Sequence, residues 1–247
     1  FIDDCGRCVG ENTGFLDGHD KDDCGQCYGN NACLDGLCTD NTAINYHSEL
    51  PDNAISDNSK CIYDICETLP SNDGYACNDS AINYPYQIGD QIGCDDSEFG
   101  LDVCFPSDCS NSITLGDYYG KVIWLEMTSS WWGTCVSHLP SADNLIAEYL
   151  DNPNFAAISV LMDVGSPYSC DAWGNFGNNK LPILINGGYS LTFGNQNGLE
   201  SMFFTNSQIP KRVFIDHELR VYDIVVGYMS EAEIKLKIDE MLELIGN

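Results

Sequence analysis

The stretch Ser129–Pro140, SSWWGTCVSHLP, joins a predicted strand to a predicted helix. The run KVIWLEM before it, Lys121–Met127, is almost continuously apolar and predicts a buried strand. After Pro140, the segment Ala142–Leu150 predicts a helix. Two tryptophans and Cys135 therefore lie at the end of a strand, ahead of a helix.

The remaining apolar runs predict a central sheet and a closing helix. Strands are predicted at Ala156–Met162, Arg212–Asp216 and Leu219–Val226, and Leu181–Ile185 is a further short apolar run. The last helix begins with a capping box of Ser230 and Glu233. Its apolar residues share one face: Ile234, Ile238, Met241, Leu242 and Ile245. This order of elements predicts an α/β domain with a central mixed sheet flanked by helices.

The charge of the chain restricts its partners. The 247 residues carry a formal net charge of −28, which excludes nucleic acid and anionic membrane surfaces as partners. No apolar run reaches the roughly 18 residues of a membrane span. The acidity has two interpretations, solubility through self-repulsion outside a cell or binding of divalent cations. The chain starts at Phe1 without an initiator Met, which indicates a processed or trimmed product.

The 14 cysteines are the second global feature. Their even number favours a disulfide framework in a secreted, extracellular or cell-surface protein. Zinc is the alternative, because C-x-x-C pairs occur twice, but Asp rather than His or basic residues flanks them. All fourteen are disulfide candidates: Cys5, Cys8, Cys24, Cys27, Cys33, Cys38, Cys61, Cys66, Cys77, Cys94, Cys104, Cys109, Cys135 and Cys170.

Residues 1–84 form an acidic, Cys-rich module that is distinct from the rest of the chain. The segment Asp4–Gly10 recurs as Asp23–Gly29, and Cys38–Tyr46 recurs one residue shorter as Cys77–Tyr84. These repeats resemble the short Cys-rich repeats of large secreted or surface proteins of environmental microbes. Since the module is poor in long apolar runs, it needs disulfides, ions or neighbouring molecules to hold it in an irregular fold.

Two motifs in this module point to ligands or modification. The segment DGHDKDD is a candidate calcium site through Asp17, Asp20, Asp22 and Asp23. It lacks the alternating ligands and closing Glu of an EF-hand, so a solvated acidic turn is the alternative. The N-x-S sequon at Asn78 is a candidate glycosylation site. Calcium is therefore the candidate ligand of this segment, and no organic cofactor is expected.

Residues 85–247 resemble the thioredoxin-like superfamily, nearest to its TlpA and peroxiredoxin-like branch. The resemblance rests on the order and spacing of several features. They are Gln87–Asp90 and Ile113–Lys121 as an N-terminal extension, Ser130 and Trp131 ahead of Cys135, Pro140, and Ile209–Pro210 before a strand. The resemblance implies a cis-proline at Pro210 and an α/β domain over 85–247.

The resemblance also implies a degenerate active site. A dithiol enzyme needs an exposed attacking thiolate at a helix N-terminus and a second cysteine that resolves the mixed disulfide. Here Trp132 occupies the attacking position and Cys135 the resolving position. Glu126 stands where the superfamily often keeps a buried acid, and Pro210 retains the substrate-cradling proline. Dithiol turnover is therefore not expected.

The sequence leaves three interpretations open for the role of Cys135. This cysteine forms a structural disulfide with Cys170, stays a free and inert thiol, or acts as a monothiol with His138 as its base. Trp131 and Trp132 either pack in the old groove or form an exposed patch that binds a partner or glycan. The remaining cysteines of the domain allow a Cys104–Cys109 hairpin closure and one bond to Cys77.

These features favour an extracellular structural or interaction protein, a subunit of a surface or filamentous assembly. Its partners would be copies of itself, other extracellular proteins or glycans. The alternative is a secreted monothiol oxidoreductase or peroxidase-like enzyme that uses Cys135. A calcium-dependent adhesion module is a third class.

Overall fold

The computed structural model describes residues 21, 36–43, 46, 50, 54–61, 84–106, 112–165, 167–176, 183–186, 199–203 and 209–245. Several predictions lie outside these residues and stay predictions. In the first module they concern the acidic segment Asp17, Asp20, Asp22 and Asp23, the sequon at Asn78, and the cysteines Cys5, Cys8, Cys24, Cys27, Cys33, Cys66 and Cys77. In residues 85–247 they concern Cys109.

Seven strands within the described ranges form one mixed sheet. They are β1 (Leu101–Phe105), β2 (Ser112–Ile113), β3 (Val122–Thr128), β4 (Phe155–Leu161), β5 (Ile183–Asn186), β6 (Lys211–Ile215) and β7 (Val221–Val226). Their spatial order is β2-β1-β5-β4-β3-β6-β7. Strands β3, β4 and β5 run parallel, whereas β6 pairs antiparallel with β3 and β1 pairs antiparallel with β5.

The helices are α1 (Cys94–Ser97), α2 (Gly133–Tyr149), α3 (Cys170–Gly174), α4 (Leu199–Met202) and α5 (Glu231–Leu244). Side chains of a strand alternate between the two faces of the sheet, and β3 follows this rule. Its Val122 and Trp124 pack with the apolar faces of α2 and α5. Its Ile123, Leu125 and Met127 pack on the opposite face, against residues that include Tyr86, Ile92 and Phe203.

This is the thioredoxin-like α/β fold expected from the sequence. Helix α2 connects the parallel strands β3 and β4, and the β6–β7 hairpin and α5 complete the core. The capping box of α5 is present in both directions, with Ser230 and Glu233 bonding each other's backbone amides. Its predicted apolar face is buried at Ile234, Ile238, Met241 and Leu242.

The start of α2 corrects a prediction. The helix begins at Gly133, not after Pro140, and Pro140 lies inside it. A proline removes one backbone hydrogen bond from a helix and crowds the preceding turn. Pro140 is exposed, so water can satisfy the carbonyl that loses its partner. The Cys135 segment is therefore helical rather than part of a loop.

The described part of the first module contains one disulfide. Cys38 and Cys61 are bonded and lie with Ala43 in a small buried cluster. The bond joins the two ends of the first long repeat, across a separation of 23 residues. A closed loop of this kind stabilises a segment that has little apolar surface to bury.

Candidate functional site

The loop between β3 and α2 is held by one carboxylate. The backbone amide of Ser130 donates to both oxygens of Asp163, at 2.8 and 3.0 Å. The Ser130 hydroxyl and the Trp131 amide donate to Asp163 Oδ2, at 2.8 and 3.2 Å. Asp163 follows β4, and parallel strands β3 and β4 end side by side. Asp163 was not predicted from the sequence, although its position just beyond an apolar strand was an available signal.

The two tryptophans are exposed on this loop. Trp131 is 54% exposed and Trp132 is 42% exposed, with their rings edge to face at 5.2 Å between centroids. Trp132 is the N-cap residue of α2, where its extended backbone precedes the first helical turn. The sequence left open whether the two tryptophans pack inside the domain or form an exposed patch. In the structure they form an exposed aromatic patch.

Cys135 lies in the first turn of α2 and is buried, with 3% exposure. Among the described cysteines it is the one free thiol. Burial raises the pKa of Cys135 above its ordinary value, while hydrogen bonds to the Thr128 side chain and the Ser129 backbone act in the opposite direction. Cys135 is therefore protonated at neutral pH, unlike an activated nucleophile.

One disulfide of the domain joins Cys104 to Cys170, with 5.7 Å between their Cα atoms. The predicted Cys135–Cys170 and Cys104–Cys109 pairs are therefore wrong. The reason is β1, a strand that the sequence did not predict. It carries Cys104 beside β5 and against α3, whose first residue is Cys170. Cys94 is also disulfide-bonded.

Glu126 forms an ion pair and is not an isolated acid. Residues Glu126 and Arg212 face each other in the β3–β6 register. Glu126 Oε1 lies 2.8 Å from Arg212 Nη2, and the Arg212 side chain is 1% exposed. The same guanidinium donates to the Gly227 carbonyl at 2.7 Å. The sequence pointed to Glu126 but not to Arg212, whose role depends on strand register.

The Ile209–Pro210 peptide bond is cis, as the resemblance implied. In the β3–β6 register Met127 faces Lys211, so one further step brings Pro210 opposite Thr128. Thr128 is the residue whose side chain bonds the Cys135 thiol. The proline, the buried thiol and the loop with the two tryptophans thus share the end of the sheet at which β3 finishes.

His138 is engaged with another aromatic residue. Its ring lies 4.9 Å from that of Tyr228, measured between centroids. Tyr228 follows β7 and is exposed. This contact gives His138 a packing role on the surface of α2.

No cluster of three or more His, Cys, Asp or Glu side chains in the described part of the chain could hold a metal ion. None of the helices described has both the length and the apolar character needed to cross a bilayer.

No family model and no curated protein sequence matches this chain. Its fold is similar to that of several solved thioredoxin-like proteins. The pneumococcal exposed lipoprotein thioredoxin of Streptococcus pneumoniae is 21% identical, with a TM-score of 0.45 over 57% of this chain and 98% of its own. A secreted disulfide oxidoreductase of Mycobacterium tuberculosis, homologous to Escherichia coli DsbE, is 15% identical, with a TM-score of 0.45 over 59% and 98%. StoA of Bacillus subtilis is 14% identical, with a TM-score of 0.42 over 56% and 94%. At these identities the likeness concerns the fold alone.

Proposed function

We propose that the domain is a binding module that holds an extended polypeptide segment at the end of the sheet where β3 finishes, without dithiol catalysis. The observation that carries the proposal is which residues at the start of α2 are exposed and which are buried. An exposed indole, Trp132, stands in the attacking position, and the one thiol nearby is buried.

The chemistry of the site argues against turnover. Dithiol exchange requires a thiolate that a substrate can reach and a second thiol that releases it. Cys135 is 3% exposed, and burial keeps its pKa above the ordinary value. Trp132 cannot attack a disulfide. Among the described residues, the end of the sheet where β3 finishes therefore lacks a reacting pair of cysteines.

The surface has the properties of a binding site. Exposed tryptophans supply large contact area at low cost in side-chain entropy, and they are enriched where interfaces gain most of their energy. Asp163 fixes the loop that carries Trp131, so less ordering is needed when a partner binds. The resemblance to the superfamily implies that Pro210 presents its backbone to a substrate strand, so we infer an extended peptide rather than a glycan as the occupant.

An oxidising location fits this function. Two described disulfides, Cys38–Cys61 and Cys104–Cys170, would not persist in a reducing cytosol. We therefore place the protein in a secreted or cell-surface setting, with extracellular polypeptides as partners. Participation in a surface or filamentous assembly, through copies of the same chain, stays a prediction of the sequence repeats.

The test is a peptide-array binding experiment with Trp131→Ala/Trp132→Ala. We expect the affinity for the peptides that the wild type selects to fall by roughly thirtyfold or more, because a single aromatic anchor contributes about 2 kcal/mol. Ile88→Ala is the control, since Ile88 is exposed in the turn that pairs with the opposite end of β7. Equal affinities for all three proteins would contradict the proposal.

A monothiol enzyme is the second candidate. The observation in its favour is that Cys135 is a free thiol whose pKa is lowered by hydrogen bonds to Thr128 and Ser129 and by the Arg212 charge, although burial and the Glu126 charge raise it and burial dominates. Reaction with hydrogen peroxide separates the candidates. For a binding module, Cys135 should oxidise no faster than free cysteine. Much faster oxidation with multiple turnovers, lost in Cys135→Ser, would establish the enzyme instead.

A further inference from the structure

The free thiol of Cys135 and the Cys104–Cys170 disulfide lie in or against one buried cluster. Cys135 and Cys170 are 3% and 7% exposed, and they share this cluster with Leu139, Leu161 and Trp173. Cys104 packs against the cluster as a partly buried residue. Three sulfur atoms, one as a thiol and two as a disulfide, are thus gathered in the same apolar environment.

Three separate elements bring these cysteines together. The first turn of α2 carries Cys135, α3 begins at Cys170, and β1 carries Cys104. None of these elements follows another directly in the chain, so the grouping depends on the folded sheet. Folding therefore brings a free thiol and a disulfide into one apolar cluster, where Cys104 is the present partner of Cys170 and Cys135 is the alternative one.

We propose that these cysteines undergo intramolecular thiol–disulfide exchange. The thiolate of Cys135 attacks Sγ of Cys170, so a Cys135–Cys170 bond forms while the Cys104–Cys170 bond breaks. Cys104 leaves as a thiolate and takes up the proton that Cys135 released. One thiol and one disulfide are present before and after the step, and no outside oxidant or reductant is consumed.

Two buried donors in this region support an anionic sulfur. The indole N–H of Trp173 and the hydroxyl of Ser129 have no hydrogen-bond partner among the described residues. The Ser129 backbone already bonds Cys135, and Trp173 lies in the cysteine cluster. Unpaired buried donors are costly, and they gain most by bonding a charged acceptor such as a thiolate.

The exchange has a direction and a consequence. Attack on Cys170 is favoured because Cys135 and Cys170 are both in the buried cluster, whereas Cys104 lies at its margin. The product moves the free thiol from the buried Cys135 position on α2 to Cys104 on β1, which is only partly buried. The domain would then present a reactive cysteine although its superfamily position for one holds Trp132. This inference is independent of the proposed peptide-binding function.

The first test traps thiols in the native full-length protein. After incubation at pH 7 and pH 8.5, the protein is alkylated, digested without reduction and mapped by mass spectrometry. We expect alkylated Cys104 and a linked Cys135–Cys170 peptide, appearing faster at the higher pH because the thiolate attacks. In Cys135→Ser, alkylation of Cys104 should disappear. Alkylation of Cys135 without Cys104, or of Cys170 in its place, would overturn the proposal.

A second variant asks whether the buried pair can bond. Cys104→Ser removes the present partner of Cys170, and we expect oxidised, folded protein to contain the Cys135–Cys170 disulfide. Circular dichroism shows whether the variant is folded, and Cys104→Ser/Cys135→Ser is the matched control in which Cys170 should be free. Two free thiols at Cys135 and Cys170 in folded, oxidised Cys104→Ser would contradict the exchange.

Discussion

Asp163 is the residue on which the geometry of the tryptophan loop depends. Its carboxylate accepts hydrogen bonds from two backbone amides and the Ser130 hydroxyl. Hydrogen bonds to a charged group contribute about 1.5–3 kcal/mol each, and Ser130 is buried, so its amide would lose its partner. We expect Asp163→Ala to lower the free energy of unfolding by about 2–4 kcal/mol, measured by urea denaturation.

Asp163→Asn is the informative control for this prediction. An amide keeps one acceptor oxygen but loses the charge, so we expect a smaller loss of stability than for alanine. The variant should also weaken peptide binding by the tryptophans, since the loop would be less well ordered. An alanine variant as stable as the wild type would show that the loop is fixed by other contacts.

At the scale of elements, helices α2 and α5 meet through a buried polar contact. The Tyr149 hydroxyl donates to Asp239 Oδ1, and Lys235 Nζ lies 3.2 Å from the same hydroxyl and 3.0 Å from a Glu148 oxygen. Burial raises the pKa of Asp239 from 3.8 to about 6. The folded protein therefore binds a proton at Asp239 more tightly than the unfolded chain does.

The sign of the pH effect follows from this difference. The stabilising contribution of protonated Asp239 is complete below about pH 4 and is lost as the pH rises through about 6. In Asp239→Asn this loss is absent, so the variant should gain stability relative to the wild type between pH 4 and 7. The gain is about 3 kcal/mol at most. Denaturation at both pH values measures it, and a pH-independent difference would contradict the shifted pKa.

The elements also show what a sequence can and cannot predict. Strands β3, β4, β6 and β7 and helix α5 were predictable, because apolar runs and a capping box are local signals. The start of α2 was not predictable in this way, because Pro140 favours a helix boundary but lies inside the helix. Strand β1 was missed because it is short and half-buried. With β1 unknown, the partner of Cys170 could not be inferred, and the pairing was assigned to Cys135.

At the scale of the whole molecule, charge is the dominant property. The chain has 38 acidic residues against 10 lysines and arginines, a net charge of −28. Like charges repel one another more strongly in the compact state than in the expanded chain, and 0.1 M salt screens this repulsion between exposed charges that lie more than about 10 Å apart. We expect the melting temperature to rise by several degrees between about 20 and 500 mM sodium chloride.

Calcium must be separated from this general screening. The candidate ligands Asp17, Asp20, Asp22 and Asp23 predict a further rise with calcium that magnesium does not reproduce at the same ionic strength. Replacing the four aspartates by asparagine should remove this additional rise while leaving the sodium chloride effect nearly intact. Equal effects of the two cations would assign the acidity to self-repulsion alone. A melting temperature insensitive to sodium chloride would show instead that the acidic groups are not held close enough to repel.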